Sequence, residues 1–145
     1  MMRVRDFSPG DIDTICLFKE KSVRKNMPGC RLDMAFFRRL LLKDVSGNPQ
    51  HVKVAEEAGR IVGYVWFKEV ESDIGKFGRI EHIFVEPKLR GKGIAKSLMR
   101  EVEKYVRSAG IGSIKLTVLK ENSEAITLYE EIGYAAIGLK MEKRL

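Results

Sequence analysis

The chain has 145 residues, 44% of them hydrophobic and 32% charged, with a formal net charge of +7. That length makes one domain with a single real core and not two, here over residues 1–145, and the composition is that of a globular protein without low-complexity tracts. No apolar run approaches the roughly 18 residues that cross a bilayer, and Met1-Met2-Arg3-Val4-Arg5-Asp6 has no apolar stretch behind its charge, so neither a membrane span nor a signal peptide is expected.

In chain order, Val4–Phe7 reads as a short strand ended by Ser8-Pro9-Gly10. Ser8 or Asp11 can cap a helix through about Arg24, with Ile12, Ile15 and Cys16 inward. Asn26-Met27-Pro28-Gly29 breaks it, and a second helix is expected near Leu32–Asp44. After the loop Ser46-Gly47-Asn48-Pro49 the apolar period changes to two. Val52–Glu56 and Ile61–Val70 form a hairpin around Glu57-Ala58-Gly59-Arg60. A loop is expected over Ser72–Gly78, then a long strand Arg79–Val85 and an amphipathic helix 91–109 ended by Gly110. Ser113–Leu119 reads as a strand, Asn122 opens a short helix through Ile132, and Gly133 ends it. The tail from Tyr134 reads as extended, with Ala135, Ile137, Leu139, Met141 and Leu145 in period-two register. Strands 79–85 and 113–119 flank a helix with short connections, a βαβ unit whose strands run parallel. The fold class is therefore α/β (α+β): a mixed, largely antiparallel sheet with helices on both faces and a central parallel βαβ unit.

Three constellations carry chemistry. In Val85-Glu86-Pro87-Lys88-Leu89-Arg90-Gly91-Lys92-Gly93-Ile94-Ala95-Lys96, two glycines join a strand to a helix start. Unpaired backbone N–H groups and the positive end of a helix dipole then converge on one point, which suits a phosphate or pyrophosphate. The phosphate loop Gly-x-x-x-x-Gly-Lys-Ser/Thr is absent, and the dinucleotide pattern Gly-x-Gly-x-x-Gly fails at Lys96. The second is Asn122-x-x-Ala125-Ile126-x-Leu128-Tyr129-x-x-x-Gly133-Tyr134, in which Asn122 caps a helix and Tyr129 follows the apolar face. The third is Glu81, four residues before Val85; a strand carboxylate can accept a proton, or simply pair with a surface lysine. In a regular strand His82 takes the opposite face, and only a β-bulge would blur that alternation.

The run Arg90-x-x-Gly93-x-Ala95 resembles the Arg/Gln-x-x-Gly-x-Gly/Ala signature of the GNAT superfamily of acetyl-CoA-dependent N-acetyltransferases. The Asn122 to Tyr134 run resembles the superfamily's C-terminal signature almost position for position. The resemblance covers residues 50 to 145 well and the N-terminal third only in element order. It implies acetyl-CoA as acyl donor, its pyrophosphate held by the backbone N–H groups of residues 91 to 95 amid Lys88, Arg90, Lys92 and Lys96. It also implies a pantetheine arm along the backbone of the strand ending Ile83, Phe84, Val85, with Asn122 facing a ligand amide. Carried over residue by residue, Gly91, Lys92, Gly93, Ile94, Ala95, Lys96, Asn122 and Tyr129 are expected to bind the donor. The resemblance further implies Glu81 as a base working through water, ranked above His82, which stays an alternative, and Tyr129 as the proton donor to the leaving thiolate.

The implied acceptor is a primary amine of a small molecule or of a peptide or protein N-terminus, attacked directly. A non-catalytic acyl-CoA sensor is the alternative. Residues Lys19 to Lys43 hold eight bases against two acids, a net +6, which favours an acidic acceptor and disfavours polyamines. No nucleic-acid motif accompanies this charge, so no nucleic-acid or membrane partner is expected, while a homodimer is allowed. Cys16 and Cys30 lack a CxxC pattern and a nearby His, and no metal set is expected; both thiols read as reduced and structural, in a cytoplasmic protein.

Overall fold

Period-two alternation through the middle of the chain produces three long antiparallel strands, and the glycines place their turns. In the computed structural model, which describes residues 1–145, strands β1 (Met2–Asp6), β2 (Val52–Glu57), β3 (Arg60–Ser72), β4 (Gly75–Val85) and β5 (Ile114–Lys115) form one sheet in chain order. β1 to β4 are antiparallel, and β5 lies parallel to β4. Helices α1 (Ile12–Asn26) and α2 (Met34–Gly47) cover one face, where Ile15, Phe18, Leu41, Tyr64 and Phe84 are buried together. Helix α3 (Ile94–Ser108) covers the other, packing Leu98, Met99 and Val102 against Val65, Phe67 and Val85. Each such buried aliphatic stabilises the fold by about 1.5–3 kcal/mol. Helix α4 (Ser123–Glu131) is the last element and buries no residue completely. No helix is long and apolar enough to cross a membrane.

Local chemistry explains the boundaries. The Asp33 carboxylate accepts the Phe36 N–H at 3.0 Å and starts α2, and the Asn122 side chain does the same for Ala125 at 3.2 Å in α4. At Gly63 a Cβ would stand 2.8 Å from the Phe84 carbonyl oxygen, so only glycine lets β3 and the end of β4 come this close.

Three expectations need correction. The loop expected over 72–78 is a tight hairpin: Ser72 pairs with Gly75, and the Ser72 hydroxyl donates to the Gly75 carbonyl at 2.7 Å. A serine hydroxyl thus closed a turn that polar composition made look long. The strand expected over 113–119 pairs only at Ile114 and Lys115, opposite Gly78 and Arg79, because β4 and the following chain splay apart beyond that point. The tail from Ala135 forms no strand and no backbone hydrogen bond, and Ile137, Leu139 and Met141 stay exposed. Alternation specifies which side chains share a face, not that a partner strand exists.

Candidate active site

The splay of β4 from β5 opens a cleft of about 390 Å³ whose walls come from four elements. Ile83, Phe84 and Val85 of β4 form one wall; Arg90, Gly91, Gly93, Ile94, Ala95 and Lys96 at the start of α3 form the second. Asn122, Ala125, Leu128 and Tyr129 of α4 form the third, and Ser22, Lys25 and Asn26 of α1 close it. Lys92 is exposed and stands outside the lining. The α1 residues carry no motif; the signal that could have found them is the polar stripe Lys19, Ser22, Asn26, at helical spacing beside an otherwise apolar helix face.

Gly91 and Gly93 adopt φ of 78° and 83°. That left-handed backbone is disfavoured for any residue with a Cβ, which is why glycines sit here. The turn they make leaves the N–H groups of residues 91 to 96 without a backbone acceptor, the first paired amide being that of Ser97 to the Gly93 carbonyl at 3.0 Å. Six unpaired donors at the positive end of α3 suit a polyanion, so the loop fits a pyrophosphate. Arg90 turns inward: its Nε donates to the Val85 carbonyl at 2.9 Å and its guanidinium covers the Phe84 ring at 5.5 Å. It braces the end of β4 more than it adds to the outward charge. Lys96 pairs with Glu131 at 3.3 Å, bridging α3 to α4.

The open edge of β4 has a defined register. Glu86 donates its N–H to Val62, on the β3 side. By alternation Ile83 and Val85 turn their backbone groups the other way; the Val85 carbonyl takes the Arg90 Nε, and the Ile83 groups and the Val85 N–H face the cleft. That edge can pair with an extended amide-bearing ligand as a strand would.

A β-bulge sets the far end. Trp66 pairs with His82 and Phe67 with Ile80, leaving Glu81 without a partner on β3. The extra residue turns Glu81 and His82 to the same face, toward α1, where the Lys19 ammonium acts electrostatically on both. The opposite face expected of His82 held only for a regular strand, and the bulge is the exception to it. The Glu81 carboxylate pairs with Arg79 at 2.6 Å and does not line the cleft. The His82 imidazole shares a hydrogen bond with the buried Tyr64 hydroxyl, while its Nε2 is buried without a partner. Burial, assisted by the Lys19 charge, pushes its pKa down to about 3. It is neutral at neutral pH and a poor proton acceptor. Tyr129 lies edge-on to Tyr134 with centroids 5.9 Å apart, and burial pushes its phenol up to about 12. A proton held that firmly is present throughout the neutral range. Cys16 is buried on α1 and Cys30 is exposed, and neither lines the cleft.

The family model of the acetyltransferase (GNAT) family matches residues 20–134. A mycothiol acetyltransferase of Thermobispora bispora is 32% identical over 90 residues, covering 60% of this chain and 30% of the relative. An uncharacterized N-acetyltransferase of Methanocaldococcus jannaschii is 31% identical over 104 residues, covering 68% of this chain and 43% of the relative. The chain thus spans less than half the length of these curated relatives. A predicted acetyltransferase of Clostridium acetobutylicum, crystallised with acetyl-CoA, superimposes with a TM-score of 0.82 at 19% identity, covering 99% of this chain and 96% of its own.

Proposed function

As the chain belongs to the acetyltransferase (GNAT) family, we propose that it moves an acetyl group from acetyl-CoA to a primary amine by direct attack. The acceptor is a small molecule or a peptide or protein N-terminus. The observation that carries this reading is the cleft itself: six unpaired N–H groups at one end and the open Ile83–Val85 edge along its length, leading toward Glu81. Acetyl-CoA supplies the activated thioester. The chain's residues do the rest. The amides of residues 91 to 96 hold the pyrophosphate, the β4 edge and Asn122 align the pantetheine amides, and a backbone N–H near Ile83–Val85 meets the charge that develops on the thioester oxygen.

Proton management falls to two side chains. An alkyl amine with a pKa near 10 is almost wholly protonated at neutral pH and must lose a proton before attack. Glu81 is the carboxylate on the acceptor face, and it works through water because it does not line the cleft. Tyr129, protonated and in the wall, gives a proton to the departing sulfur. Direct attack is favoured over a covalent acetyl-enzyme because the Cys16 thiol is buried, which raises its pKa, and Cys30 lies away from the cleft.

One observation favours a non-catalytic acyl-CoA sensor instead: Arg79 already engages the Glu81 carboxylate at 2.6 Å. Release of free CoA thiol across a panel of amino acids, peptides, aminoglycosides and polyamines decides between the two. Amine-dependent release supports the transferase; saturable acetyl-CoA binding without release from any amine supports the sensor.

A further inference from the structure

The acceptor end holds a cation that the transfer chemistry leaves unused. Lys19 is half-buried on α1, one helical turn before Ser22 of the cleft wall. Its ammonium lies 5.3 Å above the Phe37 ring, which stands edge-on to His82 of β4 at 6.5 Å, and its charge acts on Glu81 and His82 from beyond ion-pair distance. Of the six other bases on α1 and α2, Lys21 pairs with Glu86 at 3.4 Å, Arg38 with Asp13 at 2.8 Å, and Arg24 with Glu20, while Lys25, Arg39 and Lys43 are exposed to water. Lys19 has no such ion pair, although it is half-withdrawn from water. A cation held this way is a standing cost unless an anion arrives to share it.

Its location gives that anion an address. Phe84 and Ser22 both line the cleft. Stepping back along β4 from Phe84 leads to His82 and Glu81, and stepping back along α1 from Ser22 leads to Lys19, so both walls lead to two groups of opposite charge, Lys19 without an ion pair and Glu81 with Arg79 at 2.6 Å. His82 between them is neutral. Such a pair complements a ligand that carries an amine and a carboxylate close together: the amine meets Glu81 and the carboxylate meets Lys19.

We propose that Lys19 is the carboxylate-binding residue of the acceptor subsite and that the acceptor is of amino-acid type, with a primary amine and a carboxylate within a few ångströms of each other. This rests on the acetyltransferase reading above. Free amino acids and peptides with an N-terminal Asp or Glu share that chemistry. Polycationic amines lack it and meet Lys19 as a like charge. In the transfer the N–C bond forms and the thioester C–S bond breaks. The acceptor ammonium loses two protons: one leaves through Glu81 to solvent, and the other restores the Tyr129 phenol that has given its proton to the departing sulfur, directly or through water. Lys19 exchanges none.

The test compares matched pairs by CoA thiol release: an α-amino acid with its carboxamide, and a peptide beginning Asp with one beginning Asn. The quantity read is the ratio of kcat/KM for acid over amide. In the wild-type protein it exceeds one for at least one pair, and which pair shows it separates the free amino acid from the peptide. In Lys19→Met, which keeps an unbranched stem over Phe37, the ratio falls about tenfold or more, carried by KM, as expected for losing a hydrogen bond to a charged group. Lys19→Arg restores it. A ratio that is the same in wild type and Lys19→Met, with acetyl-CoA binding intact in both, overturns the proposal. Calorimetric titration of the same pairs into CoA-saturated protein judges the subsite without turnover. If the protein releases thiol from no amine, a carboxylate preference in binding that Lys19→Met abolishes still supports the subsite, and its absence refutes it.

Discussion

Sealing a histidine between β4 and the α1–α2 layer makes the protein acid-labile by a calculable amount. His82 is pushed down to about 3 from an ordinary 6.5, first by burial and then by the Lys19 charge. The unfolded chain therefore takes up a proton below pH 6.5 that the native state refuses until about pH 3. Stability from keeping the imidazole neutral is fully present above 6.5 and is lost as pH falls. At pH 5 the loss from this one group is about 2 kcal/mol, and at pH 4 about 3 kcal/mol. In a domain of this size about 2 kcal/mol lowers the thermal midpoint by roughly 5–10 °C. Circular-dichroism melts at pH 7 and pH 5 on wild type and His82→Asn isolate the effect, since asparagine keeps a polar partner for the Tyr64 hydroxyl but does not titrate. The variant starts less stable at pH 7. The gap between the two proteins then narrows by about 2 kcal/mol at pH 5. Parallel curves would refute the argument, and with it the conclusion that His82 stays neutral and cannot be the base.

Four substitutions probe the cleft. Gly93→Val forces a β-branched residue into φ near 83°; calorimetry should show acetyl-CoA binding lost, and unchanged binding removes the pyrophosphate assignment. Gly63→Ala drives a Cβ to 2.8 Å from the Phe84 carbonyl, so chemical denaturation should show a loss of about 1–3 kcal/mol and donor affinity should weaken as the β4 wall shifts. Tyr129→Phe should keep donor affinity and lower kcat by about 10²-fold or more, whereas wild-type kcat returns Tyr129 to packing against Tyr134. Glu81→Gln should lower kcat/KM and displace the alkaline-rising limb of the pH profile; an unmoved limb assigns proton removal to water or to an acceptor that arrives neutral.

What the sequence discloses is the part of the site made by local rules. Gly91 and Gly93 announce a turn that only glycine tolerates, Asn122 is a helix cap within reach of its own backbone, and the α3 stripe from Ile94 gives the helix face directly. These features depend on neighbours within a few residues. The β5 truncation, the unpaired tail and the hairpin at Ser72–Gly75 depend on whether a second strand is present and where it diverges, which alternation does not encode. Lys19 shows the same limit from the charge side. In the sequence it is one of eight bases between Lys19 and Lys43. Packing singles it out, because Lys19 alone of the eight is half-buried, over Phe37, while the other seven are exposed.

Two irregularities of β4 fall within three residues of each other, and together they make a site out of a sheet. Pairing with β5 ends at Arg79, and pairing with β3 skips Glu81. The first leaves the Ile83–Val85 edge without a partner strand on the side away from β3, the edge proposed for the donor. The second shifts the face of the strand by one residue, so that Glu81 and His82 both look toward α1 rather than one of them into the α3 core. A regular strand would offer the edge without the carboxylate beside it, or the carboxylate with the edge already paired. Restoring regularity should therefore damage both functions at once. Deleting Ile80 to remove the bulge is expected to abolish acceptor turnover and to disturb donor binding, because Glu81 then takes the place opposite Phe67 and turns its carboxylate into the α3 core. A single-residue deletion that left acetyl-CoA affinity and amine turnover at wild-type levels, measured by calorimetry and thiol release on folded protein, would show that the bulge is incidental to the site.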